Sequence, residues 1–195
     1  MGIFLRSALM AAATAALYCA PARPGIAAVT VFGSGDSQLC EQAARRASKG
    51  EIQDPRALLA CDQALRYESL TLHDLAGTHI NRGVVLLARG EFAKAKQDFD
   101  AAALLMPEIG ETFTDRGAAL IGLRRYEEGI ADIDHGLTLN PEEPEKAYFN
   151  RALAKEGIDD MKGAYFDYLR ATELNPKWEA PRHELARFTV AKAPS

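Results

Sequence analysis

Residues 76–107 have the sequence AGTHINRGVVLLARGEFAKAKQDFDAAALLMP. The triplet Asn81-Arg82-Gly83 in this stretch returns as Asp115-Arg116-Gly117 and as Asn150-Arg151-Ala152, at steps of 34 and 35 residues. A fixed period of this length predicts supersecondary units that stack into a solenoid. Such a stack presents an extended surface, which favours binding over catalysis. The positions that recur with the triplet are Phe92, Tyr126 and Met161; Ala95, Gly129 and Ala164; Phe99, Ile133 and Tyr168; Ala102, Gly136 and Ala171; and Pro107, Pro141 and Pro176.

Each unit is predicted to consist of a helix, a tight turn and a second helix. In the first unit, apolar residues recur at spacings of three and four on both sides of Gly90-Glu91, which is the spacing of amphipathic helices. Gly83 and Ala95 are small enough for the two helices to approach closely. Pro107 cannot continue the second helix and therefore ends it.

This pattern resembles the tetratricopeptide repeat family over residues 76–176. The resemblance implies an all-α fold, namely a right-handed superhelical solenoid of antiparallel helix pairs. It also implies a concave face, lined by the first helix of each unit, that binds peptides or partner proteins. Arg124 and Asp159 depart from the pattern, because they stand where the first unit has the turn glycine Gly90.

The segments that flank the repeats extend the stack. Ala57, Cys61 and Ala64 occupy the slots of Ala95, Phe99 and Ala102 in a degenerate leading pair. A final helix is expected after Pro176, because terminal units must shield an otherwise exposed apolar face. The predicted division is a signal peptide (1–28), an extended leading segment (29–36), the degenerate pair (37–75), three repeats (76–109, 110–144 and 145–176), a capping helix (177–190) and a tail (191–195).

The first 28 residues have the pattern of a secretory signal peptide. A basic start with Arg6 precedes the apolar run 7–20, and the segment ends in Ile26-Ala27-Ala28. The apolar run of 14 residues is shorter than the roughly 20 that a membrane-spanning helix needs. Cleavage after Ala22, Ala27 or Ala28 fits this pattern, with Ala27 or Ala28 favoured. We therefore expect a periplasmic or secreted protein without stable membrane insertion. The alternative is an uncleaved signal that anchors the chain to the membrane.

Export makes a disulfide permissible for the cysteines that remain after cleavage. Cys40 lies on the first helix of the degenerate pair, and Cys61 takes the inward slot on the second. The sequence therefore predicts a Cys40–Cys61 disulfide. The alternative is a pair of buried thiols.

Charge and motifs exclude several classes of function. Residues 1–28 contain two arginines and no acid, so the processed chain would have 21 basic and 27 acidic residues. Nucleic-acid binding normally requires a basic footprint, which is missing here. The four histidines have no metal-ligand spacing, and no nucleophile or phosphate-loop motif is present. We predict no catalytic residues, no metal and no cofactor.

Charged residues recur with the repeat period. Two interpretations are open: a row of arginines that binds acidic ligands, or a structural ladder in which each guanidinium pairs with a carboxylate. The recurrence of both charges favours the ladder, because bidentate Arg–carboxylate pairs need both partners at a matching phase. The residues concerned are Arg82, Arg116 and Arg151 with Asp98, Asp132 and Asp167.

The resemblance also implies the positions of a partner-binding groove on the concave face. Most of these positions are apolar, which suits an amphipathic helix or an extended apolar peptide. Ile80 and Val84 stand where some family members place a lysine and an asparagine for a terminal carboxylate, so that clamp is not expected. The alternative is that the next helix or residues 29–36 cover the groove. The groove positions are Ile80, Val84, Leu87, Thr114, Ala118, Ile121, Phe149 and Leu153.

The function predicted from these features is that of a non-catalytic scaffold module in the periplasm. It binds a protein or peptide along an apolar concave groove. The alternative is a structural subunit that oligomerises through its repeat caps or its convex face.

Overall fold

The computed structural model describes residues 4–7, 27–31, 35–51 and 56–191. These residues form nine α-helices and two short strands. Residues 1–3 and 8–26, which make up most of the predicted signal peptide, lie outside the described residues. The elements are β1 (Phe4–Ser7), α1 (Asp36–Ser48), α2 (Ala57–Tyr67), α3 (Leu72–Ala88), α4 (Phe92–Leu105), α5 (Gly110–Gly122), α6 (Tyr126–Thr138), α7 (Pro144–Gly157), α8 (Met161–Leu174), α9 (Glu179–Leu185) and β2 (Phe188–Ala191).

The helices stack as consecutive pairs, as the period predicts. α3 packs on α4, α5 on α6 and α7 on α8, and each pair contacts the next one along the chain. The first helices also contact one another directly, α1 with α3, α3 with α5 and α5 with α7. They therefore form one continuous wall, here called the inner face (α1, α3, α5 and α7).

Small residues of the triplet let the two helices of a pair approach. A Cβ atom on Gly83 would lie 2.6 Å from the Phe99 ring, and one on Gly117 would lie 2.5 Å from Ile133. No real side chain tolerates such contacts, so both positions require glycine in these pairs. In the third pair Ala152 is fully buried beside the fully buried ring of Tyr168.

A second set of glycines connects successive pairs. The Phe92 ring at the start of α4 fills the space over Gly122 at the end of α5. The Tyr126 ring at the start of α6 lies in the same way over Gly157 at the end of α7. The recurring aromatic position is therefore a contact between repeats, where a Cβ atom on the glycine would collide with the ring.

The turns inside the pairs share one conformation. Gly50, Gly90, Arg124 and Asp159 all have a positive φ, between 61° and 76°. At each, the next residue donates its N–H to a carbonyl five residues earlier, for example Glu91 to Leu86 at 2.9 Å, which is the Schellman pattern of helix ends. The α1–α2 pair ends its first helix like the clear repeats, although its connection to the second helix is longer.

The start of α3 lies before the predicted repeat boundary at Ala76, because the Thr71 side chain accepts a hydrogen bond from the Asp74 N–H and caps the helix. One helix end differs from the prediction, since α9 ends at Leu185 and does not reach Val190. Residues Phe188–Ala191 instead form β2, which pairs antiparallel with β1, and β-branched residues such as Thr189 and Val190 favour extended backbone.

Candidate functional site: the inner face

A short segment of the chain lies across the inner face. This inner segment, residues 27–31, is not helical and precedes α1. Its alternate backbone N–H groups point at the helices, which is the geometry of extended backbone. Each N–H donates to a side chain on a different first helix. The three pairs are Val31 with Glu41 Oε2 on α1 (3.0 Å), Val29 with Asn81 Oδ1 on α3 (2.9 Å) and Ala27 with Asp115 Oδ2 on α5 (3.3 Å).

Asn81 is the centre of this arrangement. Its Nδ2 also donates to the carbonyl oxygen of Val29 at 2.7 Å. The Asn81 side chain is fully buried, so the two hydrogen bonds satisfy an amide that water does not reach. One amide thus pairs with both backbone groups of one residue, as a neighbouring strand does in a sheet.

Gly77 makes room for the side chains of the inner segment. A Cβ atom at this position would lie 2.8 Å from Val31 Cγ1 and 3.5 Å from Val29 Cγ1. Val29 and Ala28 also pack against the core cluster that contains Ile80 and Val84. Residues 29–31 therefore cover the groove positions of the first repeat, as the alternative with residues 29–36 over the groove expects. Residues 32–34 of that range lie outside the described residues.

Asp115 is a buried acid on the inner face. Its relative exposure is 1%, and its Oδ1 atom has no hydrogen-bond partner among the described residues. Burial raises the pKa of Asp115 well above its ordinary value, and the charge of Lys146 opposes that rise. The carboxyl group is therefore held in an environment that favours its neutral form.

The predicted groove residues are mostly not open to a partner. Phe149 is covered by Trp178, whose ring centroid lies 4.9 Å away and which immediately precedes α9. Ala118 and Leu153 are half-buried and remain accessible on the inner face. The buried ones are Ile80, Val84, Leu87, Thr114, Ile121 and Phe149.

The predicted arginines and aspartates lie together in pairs. In each repeat, the arginine of the first helix donates from Nε and Nη2 to both oxygens of one aspartate on the second helix. The paired carboxylate raises the pKa of the guanidinium in all three cases. The arrangement is that of a structural ladder, because each guanidinium already forms a bidentate pair with a carboxylate. The pairs are Arg82 with Asp98, Arg116 with Asp132 and Arg151 with Asp167, at 2.6–2.8 Å.

Sequence reasoning missed a second carboxylate for each arginine. Nη1 of Arg82, Arg116 and Arg151 donates to an aspartate on the second helix of the preceding pair. Each guanidinium therefore links two neighbouring pairs. The signal was present in the sequence, because two of these acids recur at the 34-residue step. The acids are Asp62 (2.8 Å), Asp100 (3.1 Å) and Asp134 (2.5 Å).

The structure places a disulfide between Cys40 on α1 and Cys61 on α2, with the two Cα atoms 4.7 Å apart. Both cysteines are fully buried. The bond joins the two helices of the leading pair, beside the wall on which the inner segment lies.

In the part of the chain that the structure describes, no group of three His, Cys, Asp or Glu side chains is placed to hold a metal ion. His79 instead belongs to the ladder, with Nδ1 2.9 Å from Asp98 Oδ1. None of the helices in the same residues has both the length and the apolar character of a bilayer-spanning segment.

Comparison with known proteins agrees with this geometry. The family model described as tetratricopeptide repeat matches residues 145–177. The helix pairs have the tetratricopeptide-repeat fold. A curated relative, the Hsp70-Hsp90 organizing protein of Triticum aestivum, is 29% identical over 112 residues, which are 57% of this chain and 19% of the wheat protein. The match thus spans about a fifth of that relative's length.

Solved structures superpose on the chain, and one of them is a described tetratricopeptide-repeat domain. The second tetratricopeptide-repeat domain of human RPAP3, in complex with the HSP70 peptide SGPTIEEVD, has a TM-score of 0.54 at 20% identity and covers 60% of this chain and 97% of its own. MamA of Desulfovibrio magneticus RS-1 has a TM-score of 0.57 at 20% identity and covers 78% and 82%. At this identity the likeness establishes the fold.

Proposed function

We propose that this protein is a non-catalytic scaffold module that binds a protein or peptide on the inner face of its tetratricopeptide repeats. The observation that carries the proposal is the chain's own inner segment, whose backbone is held by side chains from three successive first helices. A surface that accepts an extended segment in cis has the shape and the hydrogen-bond acceptors to accept one from a partner.

The chemistry of the inner face points away from acidic ligands. The acceptors that face the inner segment include the acids Glu41 and Asp115. The ladder arginines are paired with carboxylates and offer no free positive row. The partner is therefore a neutral or basic, apolar segment, unlike the acidic SGPTIEEVD peptide held by the RPAP3 domain.

The proposed place of action is the periplasm or the extracellular space. The support is the signal-like composition of residues 1–28. Mass spectrometry of the exported protein tests this, with cleavage after Ala22 as the expected result, because only this one of the three candidate sites leaves residues 27–31 and the Ala27 N–H in the processed chain. An intact chain in the membrane fraction would instead support an uncleaved anchor.

The binding proposal is tested with a charge on the accessible part of the inner face. Leu153→Asp should reduce crosslinked partner capture from the envelope fraction, while circular dichroism retains the helical signal. Leu104→Asp is the matched control, because Leu104 is 87% exposed on the second helix α4. Equal capture by both variants and the unchanged protein would contradict the proposal. A stable homo-oligomer that buries the inner face would favour the structural-subunit alternative.

A further inference from the structure

We propose that residues 27–31 are a built-in competitor that occupies the partner site, and that the partner is an extended apolar peptide read through its backbone. This inference rests on the proposed function and specifies its ligand. It assigns Asn81, with Glu41 and Asp115 beside it, as the acceptors for alternate N–H groups of that peptide.

The hydrogen-bond pattern selects an extended partner over a helical one. In an α-helix the N–H groups beyond the first turn bond to carbonyls of the same helix. They are therefore not available to the row of acceptors on α1, α3 and α5. In an extended segment every second N–H faces the same side, and the donors of Ala27, Val29 and Val31 meet one first helix each.

The space over Gly77 determines which side chains of a partner the site can accept. The γ-methyl groups of Val29 and Val31 lie where a side chain at this position would be. A partner therefore needs small or β-branched apolar residues at alternate positions. Glu41, which accepts from the N–H of Val31, disfavours a partner with an acidic residue next to that position, because like charges repel.

The inner segment competes with a partner peptide because it is covalently joined to the helix beside the site. Residues 32–34 join the inner segment to the start of α1, so the segment is held beside the site at a high effective concentration. A partner in trans binds only the fraction of molecules in which the site is open, and its apparent affinity falls by that fraction. Any change that releases the segment without altering the site should raise the affinity for an added peptide.

The test uses the full chain and a labelled peptide. The probe is the sequence of residues 27–33, AAVTVFG, acetylated, amidated and followed by fluorescence anisotropy. Val29→Pro removes the N–H that donates to Asn81 and weakens the inner segment. We expect this variant to bind the probe at least about tenfold more tightly than the unchanged chain does, since the open fraction multiplies the affinity. Val29→Ala keeps the N–H and should bind closer to the unchanged chain.

A change in the probe makes the test independent of protein folding. The same peptide with an N-methyl group on the residue that corresponds to Val29 cannot donate to Asn81. It should lose binding to the Val29→Pro variant. The acidic peptide SGPTIEEVD is the second control and should bind weakly or not at all.

Several results would overturn the inference. These are equal probe affinity of the Val29→Pro variant and the unchanged chain, undiminished binding of the N-methyl peptide, or rapid hydrogen exchange of the Val29 amide in the unchanged chain. A dimer that dissociates on Val29→Pro substitution would show that the segment acts on a second copy, and would overturn action in cis. If probe binding fails while Leu153→Asp still reduces partner capture, this inference fails alone and the proposed function stands.

Discussion

Asn81 holds Val29 by two hydrogen bonds, one accepted from the N–H at 2.9 Å and one donated to the carbonyl at 2.7 Å. The two residues are 52 positions apart, and the side chain of Asn81 has no access to water. This contact connects the segment that precedes the helices with the first clear repeat.

Loss of the Asn81 amide should release the inner segment. Asn81→Ala removes both hydrogen bonds, and the freed backbone of Val29 can turn to water. We therefore expect a loss of about 1–2 kcal/mol in the free energy of unfolding, the net value of two such bonds. Urea unfolding measures the loss, and hydrogen exchange should show a faster Val29 amide. An unchanged exchange rate would contradict the assigned contact.

The ladder should depend on the fork of the guanidinium and not on charge alone. Arg116→Lys keeps the charge but cannot form the paired bonds to Asp132 together with the bond to Asp100. Loss of these bonds at a half-buried site should cost about 1–3 kcal/mol. Arg125→Lys is the control, because Arg125 pairs with Glu128 on the exposed surface. Equal thermal stability of the two variants would argue against a structural role for the ladder.

The left-handed turns offer a stabilising substitution. Arg124 and Asp159 have φ values of 61° and 62°, where the first repeat has Gly90 at 76°. A non-glycine residue with this backbone conformation lowers the free energy of unfolding by about 1–2 kcal/mol. Glycine removes that strain, but its greater freedom in the unfolded chain offsets roughly 0.4–1 kcal/mol of the gain.

Arg124→Gly and Asp159→Gly should each therefore raise the free energy of unfolding by about 0.5–1 kcal/mol. Gly90→Ala should lower it. Apart from its immediate neighbours in the chain, no described residue has an atom within 4 Å of a Cβ at Gly90, so this substitution introduces no steric clash. Thermal unfolding of the three variants checks the prediction, and a destabilised Arg124→Gly protein would contradict it.

Asp115 should make stability depend on pH. Its folded pKa is raised by burial, so the folded state binds the proton more tightly than the unfolded state does. The contribution of this group is most favourable below the unfolded pKa, and it is lost as the pH rises from that value through the raised folded pKa.

Asp115→Asn removes the titrating group and keeps an oxygen that can accept the Ala27 N–H. The variant should gain stability over the unchanged chain as the pH rises from 4 towards 7. Lys146, Glu111 and Glu143, which act electrostatically on Asp115, are the same in both proteins. Melting temperatures across this pH range provide the measurement. Parallel pH profiles would show that Asp115 does not titrate in this window.

The Cys40–Cys61 disulfide should be found in the exported protein. Thiol titration after unfolding should detect neither cysteine, and reduction should lower stability by on the order of 3 kcal/mol, the chain-entropy value for a loop of this length. Two titratable thiols would contradict the bond.

The period of the sequence predicted the paired helices and the ladder because both depend on residues at fixed spacing. It also placed the turns, although it did not indicate that Arg124 and Asp159 would keep the left-handed backbone of Gly90. The contacts of Phe92 with Gly122 and of Tyr126 with Gly157 were not predicted. They join one repeat to the next, and the spacing within a repeat does not specify such contacts.

The sequence alone determined which residues form helices and which pairs recur, because those properties follow from local spacing repeated along the chain. Only the tertiary structure decided what lies on the inner face. The acceptors Glu41, Asp115 and Asn81 come from three helices, and the segment they hold has no period of its own. These side chains and the segment come into contact only through the way the helix pairs stack, and no local sequence pattern specifies that stacking.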